Sequence, residues 1–569
     1  MKLLKYPLIA GLSVLGMMSV KAQTTYLPLN HPDYQLLDRV EILSGRVSDQ
    51  LHLGLKPVSR KDMVRFLEQV DSASDAGAVR LSKIDEYNLE NAISESGEFA
   101  ADEGEVIRSK HPILKTFYKT PTDLLRINTP DFFAVVNPVL SLETSKQNNY
   151  HGDPIFLNRR GLEVRGLILK RIGFYTMMTD NQERLPTYVD EWKDRHQAVP
   201  GMGRYNPFKS NGVDYMDARG YIDVAAIRNH LDVTFGYDKQ FIGDGYRSLF
   251  MSDFSNSMLF LRLNLRVWKL NYQITDMELM PQFIKGGDEV MPRKYMAMHH
   301  LSMNVTKWLN LGLWEGVIMR RTDHFDYMYL VPIIFLRASE RNVNSPDNAM
   351  VGFNFKANVA RHFSFYGQLL FDELRFGELT SGKGWYGNKW GVQLGGKYIN
   401  AFGLKNLDLQ GEVNMVRPYT YSHYREQNDS FPVDNHTHYN QPLAHPLGAG
   451  FVEVLGIARY QPVKNVYILA KAGMYRQGID SGSTNYGSNI FLDYTTATTQ
   501  YGVGMINGVT ANCMYANLTV SYELRQNLFL DLGVTQRNYS VPDMPKLTNN
   551  TTLLSVGLRL NMAQRRFDF

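Results

Sequence analysis

The chain ends in residues 551–569, TTLLSVGLRLNMAQRRFDF, and the reading of this stretch decides the reading of the whole. Leu554, Val556, Leu558 and Leu560 fall on one side of an extended strand. Ser555, Gly557, Arg559 and Asn561 fall on the other, because side chains alternate faces along a strand. The pattern recurs upstream. SMLFLRLNLRVW (257–268) sets Leu259, Leu261, Leu263, Leu265 and Val267 against Arg262, Asn264 and Arg266. NLDLQGEVNM (406–415) sets Leu407, Leu409, Val413 and Met415 against Asp408, Gln410, Glu412 and Asn414. VGFNFKANV (351–359) sets Val351, Phe353, Phe355 and Val359 against Asn354, Lys356 and Asn358.

A soluble sandwich would also explain one apolar face. Strand number and the rhythm of the connections favour a membrane barrel. About 18 strand candidates of roughly 9–13 residues follow Phe132, long enough to cross a bilayer at a tilt. Short links at 170–172, 228–230, 268–269, 306–310, 360–362, 401–405, 461–465 and 524–527 alternate with long ones, among them 181–219, 321–349, 418–447 and 479–509. Outer-membrane barrels have short periplasmic turns and long extracellular loops. The fold class expected is therefore an all-β transmembrane barrel of about 18 antiparallel strands. Its final strand must pair with the first, leaving no edge in lipid. Parity places the N-terminal segment and the C-terminus on the short-turn side, the periplasm, with Phe569 as the terminal aromatic offered to the assembly machinery. Two positions fit imperfectly. The alternation slips at Gly166, where a bulge is expected, and Glu315 would face lipid in the simplest register.

Residues 1–22 read as a secretory leader: Lys2 and Lys5, an apolar run, and a small-residue site for cleavage after Ala22. Its three lysines account for most of the net charge of +4, and the near-neutral remainder gives no reason to propose nucleic acid as a partner. The single cysteine, Cys513, excludes an intramolecular disulfide. Residues 23–130 have helical spacing. Leu36, Leu37, Val40 and Leu43 share a face, Ser59 is placed to cap a helix with Asp62 in its first turn, and Ser82 and Asp85 have capping-box spacing. A small α-helical periplasmic domain is expected here, with the barrel over 131–569.

No catalytic motif stands out. GKGWYG (382–387) matches a dinucleotide fingerprint in letters but lies between strands rather than in a βαβ unit. Asp372 and Glu373 are neighbours in a strand, so they are expected on opposite faces, with Asp372 lining the lumen. His436, His438 and His445 offer a weak metal signal, and solvated loop histidines are the expected reading. No metal or cofactor is expected.

The long loops carry rings interleaved with amides and charges, which suit the C–H faces and hydroxyls of sugars. The candidate glycan contacts are Trp385, Tyr386, Asn388 and Trp390; Tyr419, Tyr421, His423, Tyr424 and Arg425; and Arg341, Asn344 and Asp347. Some of these rings would instead belong to the interfacial girdle. The candidate lumen charges are Asp232, Asp238, Arg262, Arg266, Lys356, Asp372, Asp408 and Glu412.

The chain resembles the capsule-assembly Wzi family of outer-membrane proteins, in the gliding-associated RemB-like branch. The resemblance rests on LPLNHPDYQLLDRVEI, FGYDKQFIGDGYRSLFMSDFS, ASERNVNSPDNAMVGFNFK, WYGNKWGVQLGGKY, RPYTYSHY, HYNQPLAHPLG and the closing RRFDF. It implies an 18-stranded barrel with a periplasmic helical domain against its inner mouth. It also implies a non-catalytic, lectin-like protein that holds capsular or other exported polysaccharide at the cell surface. Expected partners are that polysaccharide, outer-membrane lipid and other outer-membrane proteins. A diffusion porin, a gliding or adhesion protein, and a surface enzyme acting on glycan or lipid are the alternatives.

Overall fold

The computed structural model describes residues 24–101, 107–109, 113–283, 290–332, 335–342, 344–426 and 429–569. The leader lies outside them. Eighteen antiparallel strands close into one barrel. The first six are β1 (Phe132–Gln147), β2 (Ile155–Ile168), β3 (Ile172–Arg184), β4 (Gly212–Ile227), β5 (Leu231–Asp238) and β6 (Met258–Val267). There follow β7 (Leu270–Leu279), β8 (Lys294–Asn304), β9 (Leu309–Met319), β10 (Asn348–Val359), β11 (Phe363–Glu373) and β12 (Lys389–Tyr398). The last six are β13 (Leu407–Val416), β14 (Phe451–Val463), β15 (Val466–Ile479), β16 (Val509–Arg525), β17 (Leu528–Ser540) and β18 (Asn549–Leu560). Lengths run from 8 residues in β5 to 17 in β16, a wider range than periodicity suggests. β18 pairs with β1 from Leu553↔Gln147 to Leu560↔Leu140, which closes the sheet.

Leu554 and Val556 point outward and are 53% and 41% exposed, as are Phe365, Leu394 and Met514 on other strands. A continuous apolar outer band of this kind is costly in water and suited to lipid. The ladder runs in register through Gly166, contrary to the bulge expected there. A Cβ at this position would meet the Phe174 ring at 2.6 Å, so the glycine makes room for that outward ring.

Three helices occupy the short-turn end: α1 (Asp33–Ser44), α2 (Arg60–Asp75) and α3 (Lys83–Glu95). Ser59 accepts a hydrogen bond from the Asp62 amide at the start of α2, and Ser82 and Asp85 form a full capping box on α3. Leu37, Val40, Met63, Val64, Leu67 and Leu89 form the core between the helices. This segment is bound to the turns around it. Val47 N–H donates to Lys307 O (2.8 Å), Arg361 donates to Ala78 O (2.9 Å), and Asn527 donates to Glu95 (3.0 Å).

Much of the lumen above the helices is occupied by chain. The link 239–257 descends from the long-loop side and pairs Phe241–Ile242 with Leu55–Lys56. Gln368 of the wall holds it through Leu249 N–H (2.7 Å) and Ile242 O (2.9 Å). Leu249, Phe250 and Met251 pack against inward wall residues including Phe260, Met298, Trp314 and Leu370, with Phe250 stacked on Trp314 at 4.9 Å. The barrel thus contains a hydrophobic core of its own.

The chain terminus departs from expectation. β18 does leave the wall at the short-turn end, but residues 561–569 turn back into the lumen. Arg565 pairs with Glu183 (3.1 Å) and Asp568 with Lys471 (2.7 Å). Phe569 is buried against Tyr188 and Trp192 of α4 (Thr187–His196), a helix in the link 185–211 on the long-loop side. The terminal aromatic is therefore a core residue inside the barrel rather than the end of its last strand. Charge pairing explains the re-entry: burial opposes ionisation of Asp568, but Lys471 and Arg247 outweigh it and hold its carboxyl well below the usual carboxylate range.

Candidate functional site

At the long-loop mouth, three loops meet around one tyrosine. The link 374–388 docks on 480–508 through Tyr386 N–H to Gln500 O (3.0 Å) and Val503 N–H to Gly384 O (3.0 Å). The link 417–450 joins them through Tyr419 N–H to Gly487 O (2.7 Å). Tyr494 stands where they converge, on a 3-10 turn in which the Asp493 side chain accepts from the Thr495 amide. Its ring lies 6.1 Å from Tyr386, 5.9 Å from His423 and 6.5 Å from Tyr424. Trp385 extends the cluster, edge-on to Tyr386 at 5.7 Å. Trp385, Tyr386, Tyr424 and Tyr494 are all half-buried: held in place, with part of each ring open.

Cations back these rings. Lys389 Nζ lies 3.9 Å from the Tyr494 ring centre, Arg375 lies 4.5 Å from Trp385, and Arg320 lies 3.6 Å from Tyr424. Arg320 is fixed by Asp434 (3.2 Å) and by His423 Nδ1 (2.8 Å). The result is a rigid aromatic rim with polar edges.

The other loop candidates serve elsewhere. Tyr421 and Tyr419 are fully buried, their hydroxyls donating to Leu249 O (2.7 Å) and Asn485 O (3.0 Å). Buried Asn388 accepts from Arg375 N–H (2.8 Å). Trp390 sits on the outer side of β12, where alternation places it toward lipid. Arg425 is exposed beside the cluster, its amide on Asp493 (3.1 Å). Asp347 accepts from Arg320 N–H (2.9 Å) and Tyr329 O–H (2.6 Å), which pins the link 320–347. That link folds down over the outer wall, with Tyr329 and Leu336 packed on Ala297 and Val317. Arg341 and Asn344 are exposed on it.

The same link explains Glu315. Its carboxylate faces out but is covered, accepting from Leu336 N–H (2.8 Å) and lying 3.1 Å from His299 Nδ1. Asp372 and Glu373 also differ from expectation. A register shift between Phe371 and Glu373 brings both carboxylates to Lys389 Nζ, at 3.7 and 3.2 Å. The alternation rule fails there because a bulge adds a residue to one strand. The three histidines are not solvated either. His436 stacks on Tyr421 (5.2 Å), His438 accepts from Met280 N–H (2.9 Å), and His445 pairs with Glu453 (2.8 Å), all of them buried and none convergent.

The lumen charges point at the filling chain. Arg266 bridges Asp232 (2.6 Å) of the wall and Asp62 of α2. Lys356 pairs with Glu41 (2.5 Å) of α1 and with Asp244 (3.4 Å) of the descending link. Asp408 pairs with Arg39, which also holds Asp85 at 2.6 Å. Glu412 accepts the amides of Tyr246 (2.7 Å) and Arg247 (3.1 Å), and Arg262 lies over Tyr26 at 4.4 Å. Asp238 is 3.8 Å from Arg219.

Among the described residues, one group has metal-ligand character: His31, Asp33 and Glu95. The two nitrogens of His31 face different carboxylates at 3.4 Å each, and Glu95 Oε1 also accepts from Arg60 at 3.3 Å. Burial disfavours the imidazolium, yet Asp33 and Glu95 outweigh it and push the His31 pKa up to about 10. A protonated clip between two acids fits better than a metal ligand.

No protein-family model matches the chain, and no curated protein matches it either. Among solved structures it is similar to Wzi, described as an outer-membrane protein involved in group 1 capsule assembly in Escherichia coli and a carbohydrate-binding β-barrel. Identity is 14%, coverage is 95% of this chain and 100% of that one, and the TM-score is 0.54. Further matches are Pseudomonas aeruginosa OprD (12% identity, 75% and 95% coverage, TM-score 0.42) and Acinetobacter baumannii OccAB2 (8%, 75% and 97%, 0.41). The first of these likenesses supports one conclusion, that this chain has the closed 18-stranded antiparallel barrel fold with helices at its N-terminus.

Proposed function

We propose that this chain is a non-catalytic outer-membrane protein that binds exported polysaccharide at the cell surface through its long-loop rim. Under this reading the helical end faces the periplasm. The observation that carries it is the contrast between a lumen filled by paired charges and packed chain and a rim of half-open rings backed by fixed cations. A diffusion pore needs wall charges that meet water. Here most of them meet the plug, as Arg266, Lys356, Asp408 and Glu412 do. Asp372 and Glu373 share one counter-ion, Lys389, at 3.7 and 3.2 Å, an arrangement that suits a structural role. The carbohydrate binding in the description of Wzi agrees with this assignment. Gliding or adhesion roles would use the same surface.

The test is the ratio of cell-attached to shed polysaccharide in a strain carrying Tyr494→Ala beside wild type and a deletion. A shift into the medium at unchanged total supports anchoring. Unchanged attachment in the deletion strain rejects it.

A further inference from the structure

Within the lumen, a cavity of about 190 Å³ lies between α1, the wall strands β12–β14 and the returning tail. Five cationic side chains line it, Arg39, Lys56, Lys397, Arg459 and Arg566, against three carboxylates, Asp38, Asp253 and Asp408. The carboxylates are engaged: Asp408 by Arg39, Asp38 by Lys397 (2.6 Å), and Asp253 by the Asn30 amide (2.5 Å). The cations outnumber the carboxylates by two, and three of the five lack a direct ion pair. Lys56 donates to Gly243 O (3.1 Å) and lies over the Phe241 ring (4.9 Å), Arg459 donates to Gln410 Oε1 (2.9 Å), and Arg566 donates to Asn30 Oδ1 (3.1 Å) beside Tyr246. None of the three makes an ion pair among the described residues. Arg566 keeps an exposed surface although it stands inside the barrel, because it also borders adjoining cavities of about 220 and 230 Å³.

A cavity whose cations outnumber its carboxylates by five to three favours an anion there, since buried charge demands a partner. Two of them are guanidinium groups, whose forked donors match the planar or tetrahedral oxygens of carboxylate, sulfate or phosphate. They come from three distant parts of the chain: Lys56 beside the helices, Arg459 in the wall, Arg566 in the tail.

We infer that this chamber binds a small oxyanion, which ties plug, wall and C-terminal tail together. The ligand is a free inorganic oxyanion or the acid group of a charged sugar unit. The site is separate from the loop rim and does not depend on the surface-glycan reading.

The probe is inorganic sulfate, titrated calorimetrically into the detergent-purified full chain with ionic strength held constant by chloride. One saturable site is expected, weakened about tenfold or more in Arg566→Gln and in Arg459→Gln, as befits loss of a charge-assisted bond. No saturable heat in wild type, or wild-type affinity in both variants, overturns the site. Should a variant fail to fold, the wild-type melting temperature decides: a rise already present at the sulfate concentrations that saturate the heat supports the site, and a rise that is only linear in sulfate, as exclusion from the surface gives any protein, overturns it. Glucuronate as competitor separates the sources. Displacement of sulfate supports an acidic sugar, and its absence an inorganic ion.

Discussion

The two mouths of this barrel are built from the same kinds of residue and put them to opposite uses. At the helical end, arginines and acids from wall and plug pair directly, as in Arg39 between Asp85 and Asp408 and Arg266 between Asp62 and Asp232. At the loop end, Lys389 and Arg320 also pair with acids, but in addition they lie over the rings of Tyr494 and Tyr424, which remain half open. Pairing charge with charge consumes both groups and makes a seal. Placing charge beneath a ring stiffens it and leaves its outer part for a ligand.

Four perturbations break or sharpen that contrast, in order of expected effect. The largest is to the core that separates the two ends. Phe250→Ala should destabilise the folded barrel by about 3–5 kcal/mol, because the Trp314 face is left beside a cavity. The loss would be read as an earlier melt of the heat-resistant form, and an unchanged melt would contradict the luminal core. Arg39→Gln should follow at about 3–5 kcal/mol locally, since it strands Asp85 and Asp408 in the seal. Proteolysis at the helical end should accelerate while the rim stays protected.

The third acts on the rim. Tyr494→Ala should weaken polysaccharide binding about tenfold, in keeping with one aromatic contact, and leave the melt unchanged. The fourth concerns pH at the seal. The folded pKa of His31 lies above its unfolded value, so its contribution is complete below about pH 6.5 and is lost as pH rises toward about 10. Wild-type helical-end protection should fall across that window, and His31→Gln should flatten the decline.

Much of this architecture was legible in the sequence. Period-two strands and alternating link lengths give the closed barrel, and Ser59 and Ser82 mark the true starts of two helices. What escaped is local geometry and long-range filling. A bulge that turns Asp372 and Glu373 to one side leaves no trace in alternation. Glu315 faces outward because a link 20 residues later folds over it, a contact that strand alternation does not encode. The descending link did carry a signal: Phe241, Ile242, Leu249, Phe250 and Met251 are apolar without period two, which is how a buried loop reads. Tyr494 gave none, because its importance comes from three loops meeting, and that is a tertiary fact.

The central claim, a sealed helical end beneath a binding rim, is tested most directly by planar-bilayer recording of the full chain. The sealed barrel should pass no steady current above that of the bare membrane, and Arg39→Gln should introduce transient openings. A large, steady open current from the wild-type protein would contradict the seal and return the barrel to the porin class.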